Sequence, residues 1–189
     1  MDSRRQASTE ATSVPLVSTA IAPATPEDVA SIAALHAASW RSAYRGLLPD
    51  AFLDHAVERN RLDLWQRRFQ LDEASRPLIL KAMSGGTLTG FACAFIDDDA
   101  EWGTLLDNLH VRPEVTSRGI GKLLLDAVRA RIRDAAVSKR LYLWVLDGNT
   151  RARRFYEREG GVESGTASVE LIPDVHVAEV RYVFDAYVR

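Results

Sequence analysis

Seven residues, Thr116-Ser117-Arg118-Gly119-Ile120-Gly121-Lys122, place two glycines directly before a run with helical periodicity. Glycine there lets the chain turn tightly and lets a ligand come close to the backbone. The first turn of the following helix offers free N–H groups and the positive end of its dipole, which suits a phosphate. The same glycines would also serve a plain strand-to-helix turn, and the pattern alone leaves the two readings level. Further on lie Asn149, Phe155 and Tyr156. A phenol can donate a proton to a departing anion, although a helical tyrosine taken alone reads as core. Asp107 is a carboxylate in an apolar run, able to take a proton from an amine or to bond a neighbouring loop. Trp40, Tyr44 and Arg45 close an early helical stretch, where aromatics can pack, line a pocket, or do both.

These residues need elements to hold them. Thr104–Val111 reads as a buried strand that Pro113 stops, since proline cannot donate to a ladder. Ile120, Leu123, Leu124, Ala127, Val128 and Ile132 then fall on one helix face. Leu141–Leu146 is a continuous apolar run, as an interior parallel strand would be. The unit is strand–loop–helix–strand with a right-handed crossover. Strand alternation puts Leu105, Asp107, Leu109 and Val111 on one face and His110 on the other.

Around this unit, Thr25-Pro26-Glu27-Asp28 is a helix start, with a capping threonine, proline at the first position and an acid at the third. The helix it opens carries Ile32, Leu35, His36 and Ser39 on one stripe, and Leu47-Leu48-Pro49-Asp50 breaks it. Arg59–Leu71 is a second helix with Leu62, Trp65 and Phe69 inward. Its charges, Arg59, Arg61, Asp63, Arg67 and Arg68, read as a solvated face. Pro77–Met83 and Leu88–Ile96 form a hairpin about Ser84-Gly85-Gly86. Asp97-Asp98-Asp99 reads as a solvent-facing turn, or as a charged pocket rim, rather than a metal site. Asn149 sits near the cap of a helix ended by Gly160-Gly161, with Arg151, Arg153, Arg154 and Arg158 as a basic face. Val162–Leu171 and Ala178–Tyr187 are closing strands interrupted by Pro173.

With the motifs in view, a resemblance emerges. Thr116-Ser117-Arg118-Gly119-Ile120-Gly121 resembles motif A of the GNAT superfamily of N-acetyltransferases, Gln/Arg-x-x-Gly-x-Gly/Ala. Both glycine positions match, and Thr116 stands where Gln or Arg is usual. Asn149-x-x-Ala152-x-x-Phe155-Tyr156 resembles motif B, with the tyrosine in place. Trp40 to Pro49 is similar to a first-helix segment of one bacterial branch, and the resemblances together span Thr19 to Phe184.

The resemblance implies an α/β fold: a mixed, mostly antiparallel sheet with helices on both faces, a first strand at Thr19–Ala22, and acetyl-CoA wedged between two splayed parallel strands. It implies that residues 116–122, Lys122 included, hold the pyrophosphate largely through main-chain N–H groups. Leu109 and Val111 match the main-chain partners of the pantetheine arm, and an N–H there would polarise the thioester carbonyl. Asn149 and Phe155 would flank the cofactor, and Trp40, Tyr44 and Arg45 would wall the acceptor pocket. Tyr156 would be the general acid. The family often places a carboxylate in the strand before the loop; Leu105 occupies one such position and cannot serve. Asp107 is the nearest acid of that parity, with Glu101 and a water chain next. The expected reaction moves acetyl to a primary amine of a small molecule or peptide. A non-catalytic acyl-CoA sensor is the second reading, which the Tyr156 phenol argues against. A nucleotide-binding enzyme is the third, but the loop lacks both the fuller dinucleotide fingerprint and the lysine–hydroxyl pair of a P-loop. A homodimer is expected by analogy alone.

Composition is consistent with this. At 189 residues, 47% hydrophobic and 26% charged, the chain reads as one domain with a substantial core. A net charge of −2 gives no polyanion signal, so nucleic acid is not expected as the partner. No apolar run has the length of a membrane span. The lone Cys93, in FACAFI, excludes an internal disulfide and reads as a small core residue. Histidines 36, 55, 110 and 176 show no metal spacing. Met1–Ser18 reads as a flexible leader without the shape of a secretory signal, which leaves residues 19–189 as the domain and the cytoplasm as its expected location.

Overall fold

A computed structural model describes residues 18–185; the leader expected over Met1–Ser18, its last residue apart, lies outside them. Seven strands form one sheet in the order β1-β2-β3-β4-β5-β7-β6. These are β1 (Thr19–Pro23), β2 (Leu78–Ser84), β3 (Thr87–Asp99), β4 (Gly103–Val111), β5 (Leu141–Leu146), β6 (Val162–Ile172) and β7 (Val175–Phe184). Every pairing is antiparallel except β4–β5. The last two strands form one tight hairpin with Ile172 opposite Val175, so Pro173 sits in its turn and β7 begins earlier than the sequence implies.

Helices α1 (Val29–Ala43) and α2 (Val57–Gln70) cover one face, and α3 (Ile120–Ala135) and α4 (Thr150–Arg158) the other. Entry into α1 follows the expected chemistry. The Asp28 carboxylate accepts the Thr25 backbone N–H at 2.8 Å and pairs with Lys81 at 2.6 Å. These two partners hold the Asp28 carboxyl below its ordinary value despite burial. A π-helical turn, Phe52–Ala56, leads into α2.

Beneath α3, Ile120, Leu124, Leu125, Val128 and Ile132 pack on Leu80, Ala92, Leu106, Leu143 and Tyr182. Leu123, assigned to the buried face from sequence, is 44% exposed, and Leu125 is buried in its place. The face in contact with a twisted sheet is wide, so neighbouring positions compete for it. Under α1 and α2, Ile32, Leu35, Trp65, Phe91 and Cys93 form a second cluster. Each such large side chain contributes about 1.5–3 kcal/mol by leaving water. Asp97, Asp98 and Asp99 are each engaged: Asp97 accepts the Val137 and Ser138 N–H groups, Asp98 the Tyr142 hydroxyl, and Asp99 the N–H groups of Glu101 and Trp102. Among the described residues no helix is long and apolar enough to cross a membrane.

Candidate active site

The parallel pair β4–β5 is joined at only two positions, Thr104↔Leu141 and Leu105↔Tyr142. Beyond Leu105 the two strands part, and a cleft of about 690 Å³ opens between them. Main-chain direction on β4 follows from a single bond: the Arg112 N–H donates to the Thr89 carbonyl at 2.9 Å, toward β3. Antiparallel alternation then turns Leu109 and Val111 the other way, so their N–H and C=O groups face the cleft.

A bulge interrupts β4. Cys93 lies opposite Asn108 and Ala94 opposite Leu106, which makes Asp107 the extra residue. The single-face alternation expected from sequence is therefore broken. Leu106, Leu109 and Val111 face α3, whereas Asp107 and His110 both face α1 and α2. The insertion shifts the parity by one residue, and Asp107 and His110 share a side instead of opposing one another.

At the top of the cleft, Ser117 and Gly119 take left-handed backbone angles, φ 70° and 79°, just before α3 begins. Gly121 is different. A Cβ there would meet Phe155 Cζ at 3.4 Å and Leu109 Cδ2 at 3.7 Å, an ordinary contact. Neither the backbone nor the packing requires glycine at 121. Thr116, Ser117, Gly119, Ile120, Gly121 and Lys122 line the cleft, while Arg118 is exposed outside it. The Thr116 hydroxyl donates to the Pro113 carbonyl at 3.0 Å and so shapes the loop. Lys122 pairs with Asp126 at 2.8 Å and Glu159 at 3.5 Å, and Arg151 and Arg158 of α4 add charge from across the cleft.

From the opposite wall, α4 is capped by Asn149, whose side chain accepts the Ala152 N–H at 3.2 Å. This fixes the helix so that Phe155 and Tyr156 reach the cleft. Tyr156 is 8% exposed, its ring set among Phe155, Tyr182 and Phe184. Its hydroxyl has no hydrogen-bond partner among the described residues. Burial first, and the nearby Tyr44 second, push its pKa well above the ordinary phenol value, so it holds its proton at neutral pH.

Comparison with known proteins identifies the architecture. The acetyltransferase (GNAT) family matches residues 33–161. The chain belongs to the GNAT family. It is an acetyl-CoA-dependent N-acetyltransferase. It is 29% identical over 168 residues to a protein of Mycobacterium tuberculosis named a probable N-acetyltransferase, covering 84% of this chain and 89% of that one. Its fold is similar to that of the PaiA N-acetyltransferase of Thermoplasma acidophilum, solved in complex with coenzyme A, with a TM-score of 0.64, 21% identity, and 86% and 98% of the two chains covered. An acetyltransferase from Thermus thermophilus aligns with a TM-score of 0.63 at 20% identity, covering 89% and 97%.

The side of the cleft toward α1 and α2 is where the residues expected to wall the acceptor pocket fall. Tyr44, at the end of α1, lines the cleft, and burial together with the Glu179 charge pushes its phenol up to about 12. Trp40 is 5% exposed and packs with Ala37, Leu48, Leu53 and Val57, away from the cleft lining. Arg45 also stays out of the cleft, paired with Asp54 at 2.7 Å and Asp50 at 2.9 Å. Asp107 lines the cleft but is held by Arg68 of α2, which also bonds Asn108. His110 bonds Ser39 at 2.9 Å and stacks near His36 with ring centroids 4.5 Å apart. Burial, and secondarily the Arg61 charge, lower His110 to about 3, so it stays neutral.

Three charged residues near this site, none of them lining the cleft, escape the sequence reading. Arg61 and Arg68, taken there as part of a solvated face, turn inward instead, Arg61 onto Trp40 of α1 and Arg68 onto Trp65 and Asp107. With Trp65 they fall at i, i+7 and i+4 of α2, the spacing of a helix face, which is the signal that could have found them. Glu179 of β7 lies opposite Leu146 in a closing strand, and no local pattern marks it. It has no ion-pair or hydrogen-bond partner among the described residues. Burial first, and the Asp107 charge second, raise its pKa.

Proposed function

We propose that this enzyme acetylates a primary amine of a small molecule or peptide, with Tyr156 as general acid. The observation that carries the assignment is the buried, protonated Tyr156 phenol, whose hydroxyl is uncommitted at the cleft where β4 and β5 part. The residues fit coenzyme A: a glycine that packing does not require and that leaves room for a ligand, a helix start behind it, Lys122 and, from across the cleft, Arg151 and Arg158, and free main-chain groups on Leu109 and Val111. Bound acetyl-CoA supplies an activated acyl thioester, and transfer of its acetyl group to the protonated amine yields the amide, the free thiol and a proton.

An outward-facing N–H on β4 stabilises negative charge on the carbonyl oxygen. Tyr156 gives its proton to the leaving sulfur and regains one from solvent afterwards. The amine must shed a proton to attack. Asp107 was the sequence's candidate for that proton, but its carboxylate is already engaged by Arg68. Glu179, unpaired and raised, stands behind the cleft lining and is the candidate base through an intervening water, with Asp107 adding to its basicity through like charge. Neutral His110 is too weak to compete.

The test is thiol release from acetyl-CoA with a panel of amines, comparing the parent with Tyr156→Phe. Turnover by the parent and loss in the variant, with coenzyme A affinity retained, supports the assignment. Equal rates remove Tyr156 from the chemistry.

A further inference from the structure

Gly148 lines the cleft in the turn between β5 and α4, and its backbone is not left-handed. What keeps it glycine is a neighbour from far away in the chain. A Cβ there would run into Leu47 Cδ2, with Leu47 Cδ1 at 3.2 Å and Cγ at 3.4 Å. Leu47 belongs to the connection that leaves α1, and α1 packs on β3 and β4. Tyr44, three residues earlier, lines the cleft at the end of α1. The chain from Tyr44 to Leu48 therefore passes from the β4 side of the cleft to the end of β5.

The same segment meets the closing hairpin as well. Leu48 is buried with Trp40 and Leu53, and Leu171 of β6 and Val175 and Val177 of β7 pack on that cluster. The segment is also held from within. The N–H groups of Leu47 and Leu48 both donate to the Tyr44 carbonyl at 2.9 Å, around Gly46 at φ 81°. Arg45 is tied to Asp50 and Asp54. Tyr44 itself rests edge-on against Trp40, with centroids 5.1 Å apart. A turn anchored at each of its residues is a fixed strap rather than a swinging lid. An open groove can take a polypeptide laid along it. A groove crossed by a fixed strap takes an acceptor that presents its amine end-on.

We propose that the Tyr44–Leu48 strap is a size filter for the acceptor, admitting slender small-molecule primary amines past Tyr44 and excluding amines carried on a polypeptide. The inference rests on the acetyl-transfer reading and narrows its acceptor. Tyr44 sets the bore by its bulk rather than its hydroxyl, and Leu47 seated on Gly148 holds the strap in place.

The experiment compares kcat/KM within two pairs matched at the reacting carbon. One is pentylamine against a blocked peptide whose sole amine is a lysine side chain. The other is phenethylamine against a peptide whose sole amine is an N-terminal phenylalanine. The parent should favour the small amine by about tenfold or more, and Tyr44→Ala and Leu47→Ala should each bring the ratio toward one by raising the peptide's value. Tyr44→Phe keeps the bulk and should keep the ratio. A melting shift with coenzyme A shows that each variant is folded, and the parent ratio alone answers the question if the alanine variants are not. Peptides acetylated as well as or better than the small amines would overturn the filter while leaving acetyl transfer standing. A ratio retained in both folded alanine variants would overturn the strap as its source, and a ratio lost in Tyr44→Phe would overturn bulk as its cause. No thiol release with any of these amines would overturn this inference and the acetyl-transfer reading together.

Discussion

Burial makes opposite demands of Tyr156 and Glu179. Burial holds the proton on the phenol, which an acid needs, and also favours it on the carboxyl, which a base must then release to solvent. Tyr156→Phe keeps the ring among Phe155, Tyr182 and Phe184 and should lower kcat by about ten- to a thousandfold with little change in coenzyme A affinity. Glu179→Gln should lower the rate by about a hundredfold at neutral pH and recover much of it at high pH, where free amine is abundant. The same variant tests the burial itself. A raised carboxyl pKa favours folding below the unfolded value of about 4.3 and loses that contribution as pH rises through the folded value. Glu179→Gln should therefore melt above the parent at pH 8 and lose the advantage in acid; a pH-independent difference would contradict the assignment. Tyr156 could be found from sequence because its helix carries a spaced motif. Asp107 was found but faced wrongly, since a bulge is set by strand pairing and leaves no periodic trace. Glu179 acquires meaning only through strands distant in the chain.

Elements were more legible than the faces they present. Strand β4, the glycine loop and helix α3 followed from a change of period, and the capping of α1 from Thr25 to Asp28. The inward turn of Arg61 and Arg68 did not follow, because charge on a helix usually means solvent and only the Trp40, Trp65 and Asp107 contacts override it. Gly121→Glu tests the loop as an element. Its Cβ fits beside Phe155, so the fold should survive, while the added length and charge occupy the space for phosphate. Coenzyme A affinity should fall by about a hundredfold or more, read by calorimetry. Retained affinity in a folded variant would move the phosphate site elsewhere.

At the scale of the molecule, α3 and α4 pack across strands on both sides of the cleft, so ligand binding and global stability are linked. Coenzyme A at a hundred times its dissociation constant should stabilise the native state by about 2.7 kcal/mol and raise the melting temperature accordingly. Absence of any shift at saturating ligand would contradict a site bordered by this core.

With two residue pairs stitching β4 to β5, the protein has two leaves, β1 to β4 and β5 with β7 and β6, sewn at one corner. An extended ligand bearing amides, laid along Leu109 and Val111, would be the missing thread of that seam, as an added strand is in β-augmentation. The leaves would then gain mechanical continuity on loading and lose it when the spent thiol departs. Amide hydrogen exchange at Leu109 and Val111 should slow on loading while amides at the β1–β2 edge keep their rates. The seam would reopen once per turnover, so its unstitching, rather than bond-making, becomes a step able to set the pace.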